Sequence, residues 1–235
     1  MALLEVRRLE TAYGDSQVLF GISLDVARGE VVALLGRNGA GKTTTLSSVM
    51  GLVPPRAGTI RFDGVEIQGR EPFEACRAGL GLVPENCRLF AGLTVAENFE
   101  AARRPARSGP SRWDVAEVLG LFPDLKTLLG RRAGALSGGQ QRMVAIARTL
   151  LGNPSLLLLD EPSEGLAPLV VEAILQQLRR LKQAGTTVLM SEQNLRFATE
   201  LADRVSIIER GEIRYEGTPA ELARHPEVRE KYLMV

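Results

Sequence analysis

The chain has 235 residues, 45% of them hydrophobic, enough to bury a full core as one α/β domain or one domain with an inserted lobe. Its 29 basic residues nearly cancel 28 acidic ones, and a net charge of +1 sets up no field strong enough to hold nucleic acid. No apolar run approaches the roughly 18–20 residues that span a bilayer, and the opening MALLEVRRLE lacks the layout of a secretion signal.

The first two segments, LLEVRRLETAYG and SQVLFGISLDVARGE, alternate apolar and polar residues in short stretches broken by Gly and Asp. That pattern predicts an antiparallel edge sheet. Residues 30–36, EVVALLG, are continuously apolar, as a parallel strand covered on both faces must be. A helix is expected over 42–50, ended by Gly51, and Pro54–Pro55 prevent its resumption. GTIRFDGVEI reads as a hairpin turning at Asp63–Gly64, and GLGLVPEN as a short apolar strand stopped by Pro84. From about 87 to 153 the strand signal gives way to helical patterns (TVAENFEAARR, WDVAEVLGLF, SGGQQRMVAIARTLL) joined by an Arg/Pro/Ser/Gly loop over 103–112. This stretch reads as an inserted helical lobe between two parts of one α/β core, 1–86 and 154–235. SLLLLD, TTVLMSEQ and RVSIIERGEIRYEG return to strands, with a helix over 169–184 between the first two. Parallel strands with helical crossovers predict an α/β fold with a doubly wound, mainly parallel sheet, whose ligands bind beyond the carboxyl ends of the strands. Cys76 and Cys87 form no CxxC, have no histidine near them, and read as reduced thiols of a cytosolic protein.

Three strand ends carry chemistry. GRNGAGKTT, 36–44, matches G-x-x-x-x-G-K-[ST] between a predicted strand and a predicted helix, the context that gives the match weight. Gly36, Gly39 and Gly41 let backbone N–H groups turn around phosphate oxygens, with Arg37, Asn38, Ala40 and Thr44 completing the loop. Lys42 neutralises phosphate charge and the Thr43 hydroxyl is placed for Mg²⁺. In SLLLLDEP, Asp160 can hold the Mg²⁺ shell and Glu161 can take a proton from an attacking water. The alternative, a buried strand with a polar end, explains one carboxylate but not its pairing with a phosphate loop. In LSGGQQR, Ser137 is a natural N-cap, and Gly138 and Gly139 clear space for a phosphate at a helix start, followed by Gln140.

With phosphate loop, LSGGQ and LLLLDEP in this order and spacing, the chain resembles the ATP-binding-cassette (ABC) ATPases over essentially its whole length. The resemblance implies a P-loop nucleotide hydrolase fold with an N-terminal antiparallel β subdomain and an inserted helical subdomain. It also implies Mg²⁺-ATP held between the Lys42 loop of one subunit and the Ser137 turn of another, and docking onto two membrane-spanning permease subunits. Tyr13 falls where the family stacks an aromatic ring on adenine; an ordinary half-buried strand tyrosine is the other reading. Glu85 stands where the family offers a glutamine to Mg²⁺ and water, and Ala167 replaces a usual aspartate.

VLMSEQN, 188–194, ends an apolar strand in a carboxylate and two amides. Gln193 occupies the place of the family's switch histidine. It keeps a donor and an acceptor but cannot carry a proton near neutral pH. With Glu161 as base, hydrolysis survives that exchange; a site that binds ATP without turnover is the competing reading. VPEN, DEPSEGLAP and SEQN jointly resemble the shorter ATPase subunit of bacterial branched-chain amino acid importers. That likeness implies a peripheral position on the cytoplasmic face of the inner membrane, a second ATPase subunit as heterodimer partner (a homodimer being the alternative), and, indirectly, a periplasmic solute-binding protein. Importers of urea or short amides, and a soluble ABC ATPase that remodels other complexes, are the alternative functions. The Leu89–Phe90 pair, in the segment that faces membrane subunits in the family, reads equally as ordinary core.

Overall fold

The computed structural model describes residues 2–105 and 112–233. The chain opens with β1 (Ala2–Tyr13) and β2 (Ser16–Ala27), then β3 (Val31–Leu35), α1 (Lys42–Val49), β4 (Ala57–Phe62), β5 (Val65–Glu66), α2 (Pro72–Ala78) and β6 (Leu80–Val83). α3 (Val95–Ala102), α4 (Val115–Leu121) and α5 (Gly138–Leu150) follow, with 3₁₀ turns at Pro123–Leu128 and Ala133–Ala135. The remainder is β7 (Leu156–Asp160), α6 (Pro168–Gln183), β8 (Thr187–Glu192), α7 (Leu195–Leu201), β9 (Arg204–Glu209), β10 (Glu212–Gly217), α8 (Pro219–Ala223) and α9 (Pro226–Tyr232).

The strands form two sheets. One has the order β10-β9-β3-β8-β7-β6, parallel throughout except for the antiparallel β10 at one edge. The other, β2-β1-β4-β5, is antiparallel. The N-terminal strands form this antiparallel sheet of their own, as the expected antiparallel β subdomain requires. The sequence predicts short stretches, whereas β1 and β2 are 12 residues each. The reason is visible in the register, which shifts between Val6 and Leu9 and again between Thr11 and Ala12. Each bulge inserts a residue, breaks the two-residue alternation and hides the length of the strand.

Every residue of β3, β7 and β8 is buried. The two faces divide by the two-residue period of a strand. Val31, Ala33, Leu35, Leu157, Leu159, Val188 and Met190 pack into one apolar cluster, and Val32, Leu34, Leu156, Leu158 and Leu189 into the other. The second cluster fills the space between the two sheets around α1. The first joins the sheet to α6 and α7 and to residues 95–150, among them Val95, Phe99, Trp113, Val118 and Phe122. At about 1.5–3 kcal/mol for each large apolar side chain removed from water, these central strands are the fixed frame of the molecule. Among the described residues of 87–153 no β-strand occurs. Residues 106–111 of the expected 103–112 loop lie outside the described residues.

Candidate active site

Strands β3, β7 and β8 end side by side, and the groups singled out in the sequence gather at those ends. The turn from β3 into α1 is shaped by glycines. Gly39 and Gly41 have φ of +77° and +109°, in the left-handed region that L side chains avoid. Gly36 meets a packing need as well. A Cβ there would lie 2.5 Å from the Ile208 carbonyl oxygen, so this glycine admits the backbone of β9. By helix geometry the first N–H groups of α1 have no acceptor within the helix, and they open toward the loop as an anion cradle. Arg37, Asn38 and Gly39 are exposed at its rim, while Ala40 and Thr44 are buried beneath it.

Lys42 is 3% exposed. Its Nζ donates to the carbonyl oxygens of Gly36 (2.7 Å) and Arg37 (3.0 Å) and pairs with Glu161 Oε1 at 3.0 Å. The other carboxylate oxygen of Glu161 accepts from Gln193 Nε2 at 2.7 Å. A row of ammonium, carboxylate and amide therefore crosses the strand ends. Glu161 sits at φ +46°, a conformation costing about 1–3 kcal/mol for a residue with a side chain. Its backbone N–H donates to Ser191 Oγ (3.0 Å) and to the Ser191 carbonyl (3.2 Å), which holds it there.

Beside this row, Thr43 Oγ1 donates to Asp160 Oδ1 at 3.0 Å, and Ser191 Oγ donates to the same oxygen at 2.6 Å. A threonine hydroxyl next to a buried aspartate is the hard-oxygen pair that suits Mg²⁺. Among the described residues no group of three or more His, Cys, Asp or Glu is arranged to hold a metal ion. One carboxylate plus a hydroxyl fits an ion that takes its remaining ligands from water and phosphate.

Burial pushes the Glu161 carboxyl up, but hydrogen bonds from Glu164, Gln193 and Lys42, with the Lys42 charge, outweigh it and hold the group below its ordinary value. Glu164 moves the opposite way. The hydrogen bond it shares with Glu161, burial, and the charges of Glu161 and Glu85 push it up to about 7. Below about pH 7 the proton these two carboxyls share sits on Glu164 and Glu161 remains the ionised base.

The remaining expected residues stand apart from this cluster. Among the described residues no hydrogen bond or ion pair joins Tyr13, Glu85, Ser137, Gly138 or Gln140 to Lys42, Asp160 or Glu161. Tyr13 closes β1 at the hairpin, half exposed, its ring open to stacking. The Glu85 carboxylate is exposed and reaches the site through its field on Glu164. Ser137 caps α5: its Oγ accepts from Gln140 N at 3.4 Å, while Ser137 N donates to Gln140 Oε1 at 3.0 Å. Ser137 and Gly138 face solvent. Gly139 also serves packing: a Cβ on it would lie 2.2 Å from Val170 Cγ1, so this glycine lets α5 approach α6. The Leu89–Phe90 pair divides. Leu89 packs on the core, while Phe90 is exposed with the Arg148 guanidinium 5.6 Å from its ring centre.

Sequence reasoning passes over four residues that the fold brings in. Ser191 links Asp160 to Glu161, Glu164 shares the proton of Glu161, and Glu192 lies buried behind Gln193. Arg142, 4% exposed on α5, points its Nη1 at the carbonyls of Pro84 and Asp160, both at 3.4 Å, and ties that helix to the ends of β6 and β7. The first three lie inside the quoted segments DEPSEGLAP and VLMSEQN, but nothing in the sequence gave them a task.

The profile of the family described as ABC transporter matches residues 19–164. The chain is 41% identical over 231 residues to the high-affinity branched-chain amino acid transport ATP-binding protein BraG of Pseudomonas aeruginosa, covering 98% of this chain and 99% of that protein. It is 37% identical over 235 residues to the lipopolysaccharide export system ATP-binding protein LptB of Escherichia coli K12, covering 99% and 98%. Among solved structures it is similar to a dimeric ATP-binding cassette in a post-hydrolysis state bound to ADP and phosphate. That likeness has a TM-score of 0.79 at 28% identity and covers 92% of this chain and 98% of that one.

Proposed function

This chain belongs to the ABC transporter family of ATPases, and from that membership we propose that it powers an importer of branched-chain or other hydrophobic amino acids. The observation that carries the catalytic part is the row Lys42–Glu161–Gln193 beside the Thr43–Asp160 pair. Lys42 and the N–H groups at the start of α1 bind the phosphates of ATP, and Tyr13 stacks on adenine. Thr43 and Asp160 would hold Mg²⁺, with Glu85 contributing through water. Bound there, the ion supplies positive charge that offsets the charge developing on the phosphoryl oxygens. Glu161 accepts a proton from the attacking water as its oxygen bonds to the γ-phosphorus and the bond to the β–γ bridging oxygen breaks, giving ADP and phosphate. Gln193 orients water or phosphate through its amide and moves no proton.

Residues 87–153 act in this reading as the helical unit that carries the Ser137 turn to a nucleotide on a second ATPase subunit, a different chain rather than a copy. No helix among the described residues is long and apolar enough to cross a membrane. The chain works on the cytoplasmic face of the inner membrane, docked on two permease subunits that receive solute from a periplasmic binding protein. Support for amino acids over other solutes comes from the likeness to BraG and from the VPEN, DEPSEGLAP and SEQN segments. The 37% identity to LptB gives lipopolysaccharide-type export as the second reading.

Purification of the tagged chain from detergent-solubilised membranes tests this. Expected are two permease subunits, a second ATPase and turnover stimulated by a leucine-loaded binding protein. Stimulation by urea or amides alone changes the solute, permeases of an exporter favour the second reading, and recovery with ribosomes or DNA and no membrane subunit overturns transport.

A further inference from the structure

Glu192 is a buried acid that the hydrolysis described above does not use. It is 1% exposed at the end of β8, with no cation paired to it among the described residues. An unpaired carboxylate in such a place is costly unless donors converge on it. They do. Its Oε1 accepts from the Ser163 backbone N–H at 2.9 Å, and its Oε2 accepts from the N–H groups of Gln193 and Asn194, both at 3.1 Å. Burial pushes this carboxyl up, and those donors act against burial.

The two sides of the carboxylate grip two different turns. Ser163 lies two residues after Glu161 in the turn that leaves β7. Gln193 and Asn194 form the turn that leaves β8. The Gln193 amide then returns to Glu161 Oε2 at 2.7 Å. The circuit closes: Glu161, Pro162, the Ser163 N–H, the Glu192 carboxylate, Gln193, and back to Glu161. We propose that Glu192 is a positioning residue for hydrolysis, its carboxylate clamping the turn after β7 to the turn after β8 and so holding the Gln193 amide on the base.

Two observations make the clamp more than a filler of space. Glu161 stands in a left-handed conformation that a residue with a side chain holds only where its surroundings over-determine it. The Glu192–Ser163 bond supplies one of those restraints from the far side of Pro162. Gln193 is half-buried on a turn without a strand partner, and its N–H is fixed by Glu192. Without the clamp the amide keeps its chemistry and loses its direction.

The inference rests on the ATPase reading of the site, and the test separates the two. Turnover and KM for ATP are measured on the tag-purified complex carrying Glu192→Gln, Gln193→Ala, both together, or Glu161→Gln. The Glu192→Gln side chain is the same size but turns one acceptor into a donor facing an N–H. The expected result is a fall in kcat of about tenfold or more, since misplacement by an ångström costs on the order of 10²-fold, with KM for ATP unchanged. In the Gln193→Ala background the same substitution should cost clearly less, because the amide it positions is gone and only the restraint on Glu161 is left to lose. Equal fractional losses in both backgrounds, or an unchanged kcat, overturn the proposal. Where Glu192→Gln does not fold, Glu192→Asp, which keeps the charge but is one methylene too short to span both turns, is read by the same outcomes. A Glu161→Gln complex as active as the native one removes the base itself, a different failure from a normal Glu192→Gln rate beside a dead Glu161→Gln.

Discussion

Two glutamates three residues apart share one proton beside the phosphate loop, and their environments drive them in opposite directions. The pKa of Glu164 in the folded chain, about 7, lies above its ordinary 4.5. Between those values the folded chain holds a proton that an unfolded chain releases, so this group's contribution to stability is present below 4.5 and lost as pH rises through 7. Activity runs the other way. While protonated, Glu164 donates to Glu161 and occupies a lone pair that must receive the proton of water. At one pH unit below its pKa only about a tenth of Glu164 is ionised. Turnover of the native complex should fall several-fold between pH 8 and pH 6, and Glu164→Ala should flatten that limb; superimposable pH profiles would refute the shared proton. Lys42, Thr43, Asp160, Glu161 and Gln193 were legible in the sequence because each lies inside a motif with a fixed chemical task. Ser191, Glu164 and Glu192 were not, because what they do depends on β7 and β8 ending in register, Asp160 opposite Ser191.

The elements that build the site were the legible ones. β3 and the inner residues of β7 and β8 are apolar because both faces are covered, and α1 is announced by the glycine-rich turn before it. α2 and α7, seven residues each, were missed. Their signals were in the caps: Pro72 at the start of α2 with Glu71 and Glu74 as a capping box, and Asn194 accepting from Phe197 N at 3.1 Å before α7. The packing of α5 on α6 was also illegible, since Gly139 reads as part of a phosphate turn until Val170 is seen against it. Two effects oppose each other in Gly139→Ala. Alanine improves the helix by about 1 kcal/mol, while overpacking against Val170 costs about 1–3 kcal/mol. The substitution should therefore destabilise the chain by about 1 kcal/mol in denaturant unfolding, and Val170→Ala should reverse its sign, leaving the double variant more stable than Val170→Ala alone. Additive behaviour would show that the contact does not set the distance between the helices.

At the scale of the whole molecule, one chain carries a complete phosphate-binding loop and a second helix start whose cap bonds stay within its own turn. Ser137 and Gly138 are solvent-exposed and make no hydrogen bond with Lys42, Thr43 or Asp160 of their own chain among the described residues. If the Ser137 turn binds phosphate, the nucleotide belongs to a neighbour, and the two helix starts must respond differently to substitution. In the isolated chain Lys42→Ala should weaken nucleotide binding roughly ten- to a hundredfold, the loss of about 1.5–3 kcal/mol from a charge-assisted contact. Ser137→Arg should leave that affinity unchanged, since the Ser137 turn makes no hydrogen bond with the chain's own loop among the described residues. In the assembled complex the order reverses for one event: Ser137→Arg should abolish hydrolysis of the nucleotide held by the second ATPase while this chain still takes up ATP, seen by azido-ATP labelling of each subunit. A Ser137→Arg chain that loses its own nucleotide in isolation would mean that both helix starts serve one triphosphate, and the two-chain site would have to be abandoned.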